Sequence, residues 1–243
     1  MPYLFDLEAL NKRFATASPE EILAWAAETF LDRVVVSSSF QSQSVALLHL
    51  VSQVCPHMPV AFVDTGYHFP ETLVYRDQLG KLFGLNIITV RAEAEKRMDF
   101  DAEGNPLYLT NPDLCCALHK IAPMAKALEG RDAWISGIRR DQTSTRRTAQ
   151  PIEQQADGLY KVNPLVNWSS RDLWTYTNRH DLPMHPLFSQ GYLSIGCAPC
   201  TRAVQVGEDE RSGRWAGKQK VECGLHTADI RSTVEALSVQ HTV

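Results

Sequence analysis

Short β-branched runs alternating with helix-period segments constrain this chain more than any other feature. "RVVVSSSF" (33–40), "PVAFVDTG" (59–66), "NIITVRA" (86–92) and "DAWISGIRR" (132–140) read as buried strands, and "YKVNPLVNW" (160–168) as a fifth. Helical apolar spacing fills "QSQSVALLHLVSQV", "FPETLVYRDQLGKLFG" and "NPDLCCALHKIAPMAKALEG", the last two closing at Gly84 and Gly130. Ahead of them, "SPEEILAWAAETFLD" opens with Ser18 as cap, Pro19 in the first turn and Glu21 completing a capping box. "SSRDLWTYTNRHDL" repeats that device with Ser169 and Asp172. Strands alternating with helices predict an α/β fold, a mostly parallel sheet with helices on both faces. From about Leu182 the pattern stops, giving way to an irregular, mobile C-terminal tail with one short helix expected over Ala228–Ser238.

With 243 residues, 44% hydrophobic and 21% charged, the chain is long enough for one sizeable domain plus a tail. A net charge of -4 argues against a general nucleic-acid or membrane binder. No apolar run approaches the ~18 residues of a membrane span. The N-terminal "MPYLFDLEAL" lacks the basic-then-apolar layout of a signal peptide, so a cytoplasmic location is expected. In that compartment six cysteines point to metal binding or catalysis rather than disulfides.

In such sheets ligands bind beyond the carboxyl ends of the strands. Three polar segments fall there, "SSSFQSQS", "DTGYHFPET" and "GIRRDQTSTRR", and should share one crevice. The first puts Ser37, Ser38 and Ser39 before a helix N-terminus, which suits either an anion cradle or a plain capping loop. It is not a Walker loop, having no glycine and no G-K-[ST]. The third holds Arg139, Arg140, Arg146 and Arg147 against one acid, Asp141, and arginine forks match phosphate and sulfate. Cys115–Cys116 and the C-x-x-C of Cys197 and Cys200 supply four thiols, the count for an iron–sulfur cluster or a tetrahedral zinc. Adjacent side chains diverge by about 100° on a regular helix, so a shared ligand needs a bulky group or a distorted helix. Core packing, or a redox C-x-x-C, are the alternatives. Cys223, in "KQKVECGLHT", reads as an exposed thiol with Lys218 and Lys220 placed to favour its thiolate.

Seven motifs in order, "SSSFQSQS", "DTGYHFPET", "CCALHK", "GIRRDQTSTRR", "GCAPCTR", "DERSGRW" and "ECGLH", make the chain resemble the assimilatory adenylyl-sulfate reductases. These form the iron–sulfur-containing branch of the phosphosulfate reductase family. The resemblance implies an adenine-nucleotide α-hydrolase-like fold. It implies one nucleotide-binding domain over residues 1–206 and a tail over 207–243 carrying the nucleophile, Cys223. Cys115, Cys116, Cys197 and Cys200 would ligate a [4Fe–4S] cluster. Ser37, Ser38, Ser39, Phe40 and Gln41 would cradle the phosphosulfate, with Asp64, Thr65 and Gly66 near the nucleoside. Lys120 would stand between cluster and substrate, and Arg139, Arg146, Arg211 and Arg214 would be further anion contacts.

The implied reaction reduces adenosine 5′-phosphosulfate to sulfite and AMP through an S-sulfocysteine, with thioredoxin (or glutaredoxin) as dithiol donor, in sulfate assimilation. Related readings are a reductase of the 3′-phosphorylated nucleotide, an adenylating ATP pyrophosphatase, and a zinc-bound interaction module. ATP-using relatives carry S-G-G-x-D-S where this chain has "SSSFQS", which disfavours ATP cleavage. No sequence feature sets an oligomeric state, and a homo-oligomer is compatible with all of these readings.

Overall fold

A computed structural model of the chain describes residues 4–93, 99–226 and Ile230. Six strands form one sheet in the order β3-β2-β1-β4-β6-β5. They are β1 (Val34–Ser37), β2 (Pro59–Val63), β3 (Asn86–Val90), β4 (Ala133–Ile135), β5 (Ile152–Gln154) and β6 (Tyr160–Val162). All neighbours are parallel except β5, which runs antiparallel to β6 along the edge. The chain leaves β1 first toward β2 and β3, then returns to place β4 on its other side. This reversal of direction opens a crevice at the carboxyl ends of β1 and β4.

Alternation along β1 explains why both faces are covered. Val34 and Val36 join a core cluster with Phe62 and Ile135 under α2 (Pro19–Phe30) and α3 (Val45–Val54). Val35 points the other way, with Ala61 and Trp134, onto Met124 and Leu128. Helix α2 begins with the expected capping box of Ser18 and Glu21. Helix α4 (Pro70–Phe83) ends on Gly84, whose φ of 63° is the left-handed conformation that glycine adopts without cost. Helix α8 (Ser170–Arg179) starts on the Ser169–Asp172 box.

Three features depart from the sequence reading. Helix α1 (Leu7–Phe14) was not anticipated, nor was β5. The two are coupled, because the Asn11 side chain donates to the Ile152 carbonyl and accepts from its N–H, both at 2.9 Å. The expected helix over 111–130 is also interrupted. After the short α5 (Leu107–Thr110), helix α6 (Pro112–Cys116) passes into a π turn (Ala117–Ile121) before α7 (Ala122–Ala127) resumes. The distortion that adjacent cysteines need lies directly after Cys116. The helix expected over Ala228–Ser238 lies outside the described residues apart from Ile230.

Candidate active site

The crevice holds a cavity of about 430 Å³. Ser37, Ser38, Ser39 and Gln41 line it from the first loop, and Arg139 and Arg146 from the loop after β4. Phe40 turns this first loop with a φ of 50°, rare for a bulky residue and typical of functional sites. Its ring goes into the core, edge-on to Phe62 at 5.6 Å, so its side chain is not a cavity contact. Ser37 Oγ accepts from the Trp134 indole at 2.7 Å, and Ser38 Oγ from the Phe40 N–H at 3.1 Å. No side chain caps the short 3-10 turn (Ser42–Ser44) or α3, so helix N-terminal donors beside the serines lack a side-chain partner.

The arginines do not all do the same thing. Arg139 is 1% exposed and tied to three partners: Nε donates to Asp141, Nη1 to Gln43 and Nη2 to Ser170, each at 3.0 Å. It ties the β4 loop to the first loop and to the start of α8. Arg146, Arg211 and Arg214 also line the cavity. The Arg214 guanidinium lies over the Trp215 ring at 4.4 Å and donates to the Ile195 carbonyl at 3.1 Å.

Asp64, Thr65 and Gly66 are placed elsewhere. None lines the large cavity, to which the "DTGYHFPET" segment gives His68 and Thr72 instead. The Asp64 carboxylate is turned back by the Gly66 N–H and Arg91, both at 2.9 Å. Burial would raise its pKa, but those two partners outweigh burial and hold it below the usual range. Thr65 Oγ1 lies 3.3 Å from Cys197 Sγ. The turn therefore backs onto the cysteines.

Cys115, Cys116, Cys197 and Cys200 line one small cavity of their own. Lys120 and Cys197 line both cavities, so a single amine and a single thiol join the two. Burial pushes the Cys115 thiol up to about 12, helped by Cys116, Cys197 and Cys200. Cys116 and Cys200 are raised for the same first reason. Burial disfavours charge on Lys120, yet Cys197, Cys116 and Cys223 overcome it and raise its pKa. Four soft donors in one pocket suit a thiophilic metal group by chemistry and count. Among the described residues, no three His, Cys, Asp or Glu side chains close around a single ion.

The tail is docked over the large cavity rather than free of it. Cys223 is half-buried and lines the cavity, which corrects its reading as an exposed thiol. Glu222, 8% exposed, pairs with Arg146 at 2.8 Å and Arg211 at 3.5 Å. The His226 ring stacks on Trp134 at 5.2 Å, and its carbonyl accepts from Lys161 at 3.2 Å. Burial, then Arg146, Lys161 and Arg211, drive the His226 pKa well down. Lys218 and Lys220 are engaged as clamps. Lys218 donates to the Tyr108 and Leu109 carbonyls at 2.7 and 2.8 Å, and Lys220 to Asp113. The partners of Glu222 are some 76 and 11 positions away, so its role was not visible in the sequence.

Residues 33–203 match the phosphoadenosine phosphosulfate reductase domain. The chain belongs to this family. It is 45% identical over 221 residues to an adenosine 5′-phosphosulfate reductase of Streptomyces coelicolor, covering 90% of this chain and 92% of that one. A reductase of the same name from Rhodococcus opacus is 44% identical over 238 residues, with 92% and 96% covered. Among solved structures, the family's phosphoadenylyl-sulfate reductase from Candida auris, a phosphate complex, superposes with a TM-score of 0.70 at 26% identity. It spans 81% of this chain and 97% of that one. The FMN adenylyltransferase of Candida glabrata shares the fold alone, with a TM-score of 0.55 at 14% identity over 96% and 81% of the two chains. No helix among the described residues is long and apolar enough to cross a membrane.

Proposed function

We propose that the chain reduces adenosine 5′-phosphosulfate to sulfite and AMP, with Cys223 as nucleophile. The observation that carries this reading is the convergence of Cys223, the serine loop and Arg146, Arg211 and Arg214 on one cavity. The identity to adenosine 5′-phosphosulfate reductases over most of the chain supports the substrate.

In the first step the Cys223 thiolate attacks the sulfur of the sulfate group. The bond from that sulfur to the bridging oxygen breaks, AMP leaves with the electron pair, and an S-sulfocysteine remains. In the second step a thiolate of a thioredoxin-type dithiol attacks Cys223 Sγ. Sulfite leaves with the electron pair, and the donor's second thiol resolves the mixed disulfide, restoring Cys223. The two electrons thus come from the dithiol, and covalent catalysis divides one hard reduction into displacements. Lys120, charged and within electrostatic reach of Cys223, is placed to stabilise the negative charge that develops during the displacement. The serine hydroxyls and α3 donors hold the anionic end of the nucleotide. Cys115, Cys116, Cys197 and Cys200 would hold a [4Fe–4S] cluster, whose charge when bound would bear on Lys120 electrostatically.

Mass spectrometry of the intact protein tests this. Reduced, anaerobically purified protein is incubated with adenosine 5′-phosphosulfate, and separately with its 3′-phosphorylated form, without a donor. A gain of one SO₃ that is absent in Cys223→Ser and removed by reduced thioredoxin is expected. No adduct with either nucleotide, from protein retaining its iron, would refute the covalent route. Preference for the 3′-phosphorylated form would favour the second reading, for which the Candida auris structure speaks.

A further inference from the structure

Glu222 immediately precedes Cys223, and its carboxylate makes three contacts on the cavity wall. Oε2 takes Arg146 Nη2 at 2.8 Å and Arg211 Nη2 at 3.5 Å. Oε1 accepts from Thr143 Oγ1 at 3.0 Å. Arg211 also donates to the Val221 carbonyl at 3.1 Å, so one guanidinium holds two successive tail residues. The Arg146 side chain is 10% exposed and that of Glu222 8%, so water screens this pair little. The neighbouring anchors are of other kinds, a ring stack at His226 and lysine clamps at Lys218 and Lys220. Glu222 is the charged tail group held by guanidiniums that also face the nucleotide cavity.

We propose that Glu222 is a positioning residue that docks the tail by occupying, through its carboxylate, guanidiniums the nucleotide's anionic end takes in turn. The tail then carries its own stand-in for the substrate's negative charge. Glu222 sets a negative charge between Arg146 and Arg211, which would otherwise face each other as like charges. When the nucleotide enters, its oxyanions and Glu222 compete for the same donors. Removing the carboxylate should therefore do two opposite things: loosen Cys223 and tighten the nucleotide. A side chain that merely supported the fold would loosen both.

The inference rests on the proposed function only in naming the nucleotide, and tail docking can be read without any substrate. The isosteric Glu222→Gln keeps shape and removes charge. Alkylation of Cys223 by iodoacetamide in nucleotide-free protein, followed by peptide mass, should quicken by ~5-fold or more, the ratio that about 1 kcal/mol makes. AMP, measured by calorimetry, should bind the variant severalfold more tightly. Cys223 alkylation at the parent rate, or AMP affinity unchanged or weakened, would overturn the proposal. Neither result depends on sulfite formation, so failure here and failure of the covalent route are separately visible.

Discussion

Gly196 has no room for a side chain, because a Cβ there would fall onto the Arg214 guanidinium. That guanidinium is held over Trp215 and on the Ile195 carbonyl, facing the cavity. Since the obstructing atoms end a flexible side chain, Gly196→Ala should fold normally and displace only Arg214. Steady-state kinetics should record a loss of roughly 10- to 100-fold in kcat/KM, the scale of an ångström's misplacement at a reacting centre. A parent-like value would mean that Arg214 does not meet the substrate. His226 gives a second residue-scale expectation. Its docked pKa lies below the ordinary 6.5, so the undocked tail binds the extra proton. Docking should be intact above about pH 6.5 and weaken as pH falls through and below that value. Deuterium uptake of residues 217–226, corrected for intrinsic exchange, should accordingly be greater at low pH; equal protection on both sides would contradict the assignment.

At the scale of elements, Cys115 and Cys116 close helix α6 and Lys120 lies within the π turn that follows, all three on one small cavity. Anaerobically purified protein should contain ~4 iron atoms per chain and lose them in Cys197→Ala, by metal analysis and visible absorption. Zinc in place of iron would return the quartet to a mononuclear reading. Much at this scale was legible beforehand. The β-branched runs announced β1 to β4, and Ser18 and Ser169 announced α2 and α8, because each signal is local. The four cysteines and the arginines could be grouped on one sheet edge for the same reason. What could not be read was set by contacts across the fold. β5 is three residues long and exists by pairing with β6, and Asp64 turns away from the cavity because Arg91 lies 27 positions on. Cys223 looked exposed because the cavity it lines is walled by segments as distant in the chain as the loop at Ser37.

For the whole molecule, the sheet has a weak side and a working side. The weak side is β5, whose backbone at Ile152 is closed by the Asn11 amide. Asn11→Ala leaves that N–H and carbonyl without their partner, at a cost of ~1–2 kcal/mol. Calorimetry should find Tm lower by roughly 2–8 °C, from about 2–4 °C per kcal/mol at this chain length. The kcat/KM should stay at the parent value, because the cavity is walled by loops at the carboxyl ends of the central strands. A large loss of activity without a shift in Tm would reverse that division of labour. The division also explains how a cavity so charged sits on so plain a core. Val34, Val35 and Val36 specify the sheet, and every residue of the site lies beyond them or on segments that return to them.

The π turn has a genetic consequence. A single-codon deletion between Ala117 and Ile121 would let α6 and α7 run on as one regular helix, which is no burden to folding. A π turn holds one residue more than an α turn, so α7 would keep its face to the core while the residues inside the turn are re-set relative to Cys115 and Cys116. Lys120 would then leave the wall that the two cavities share. The smallest in-frame lesion a gene can suffer would thus part the cysteine pocket from the nucleotide pocket in a protein that still folds.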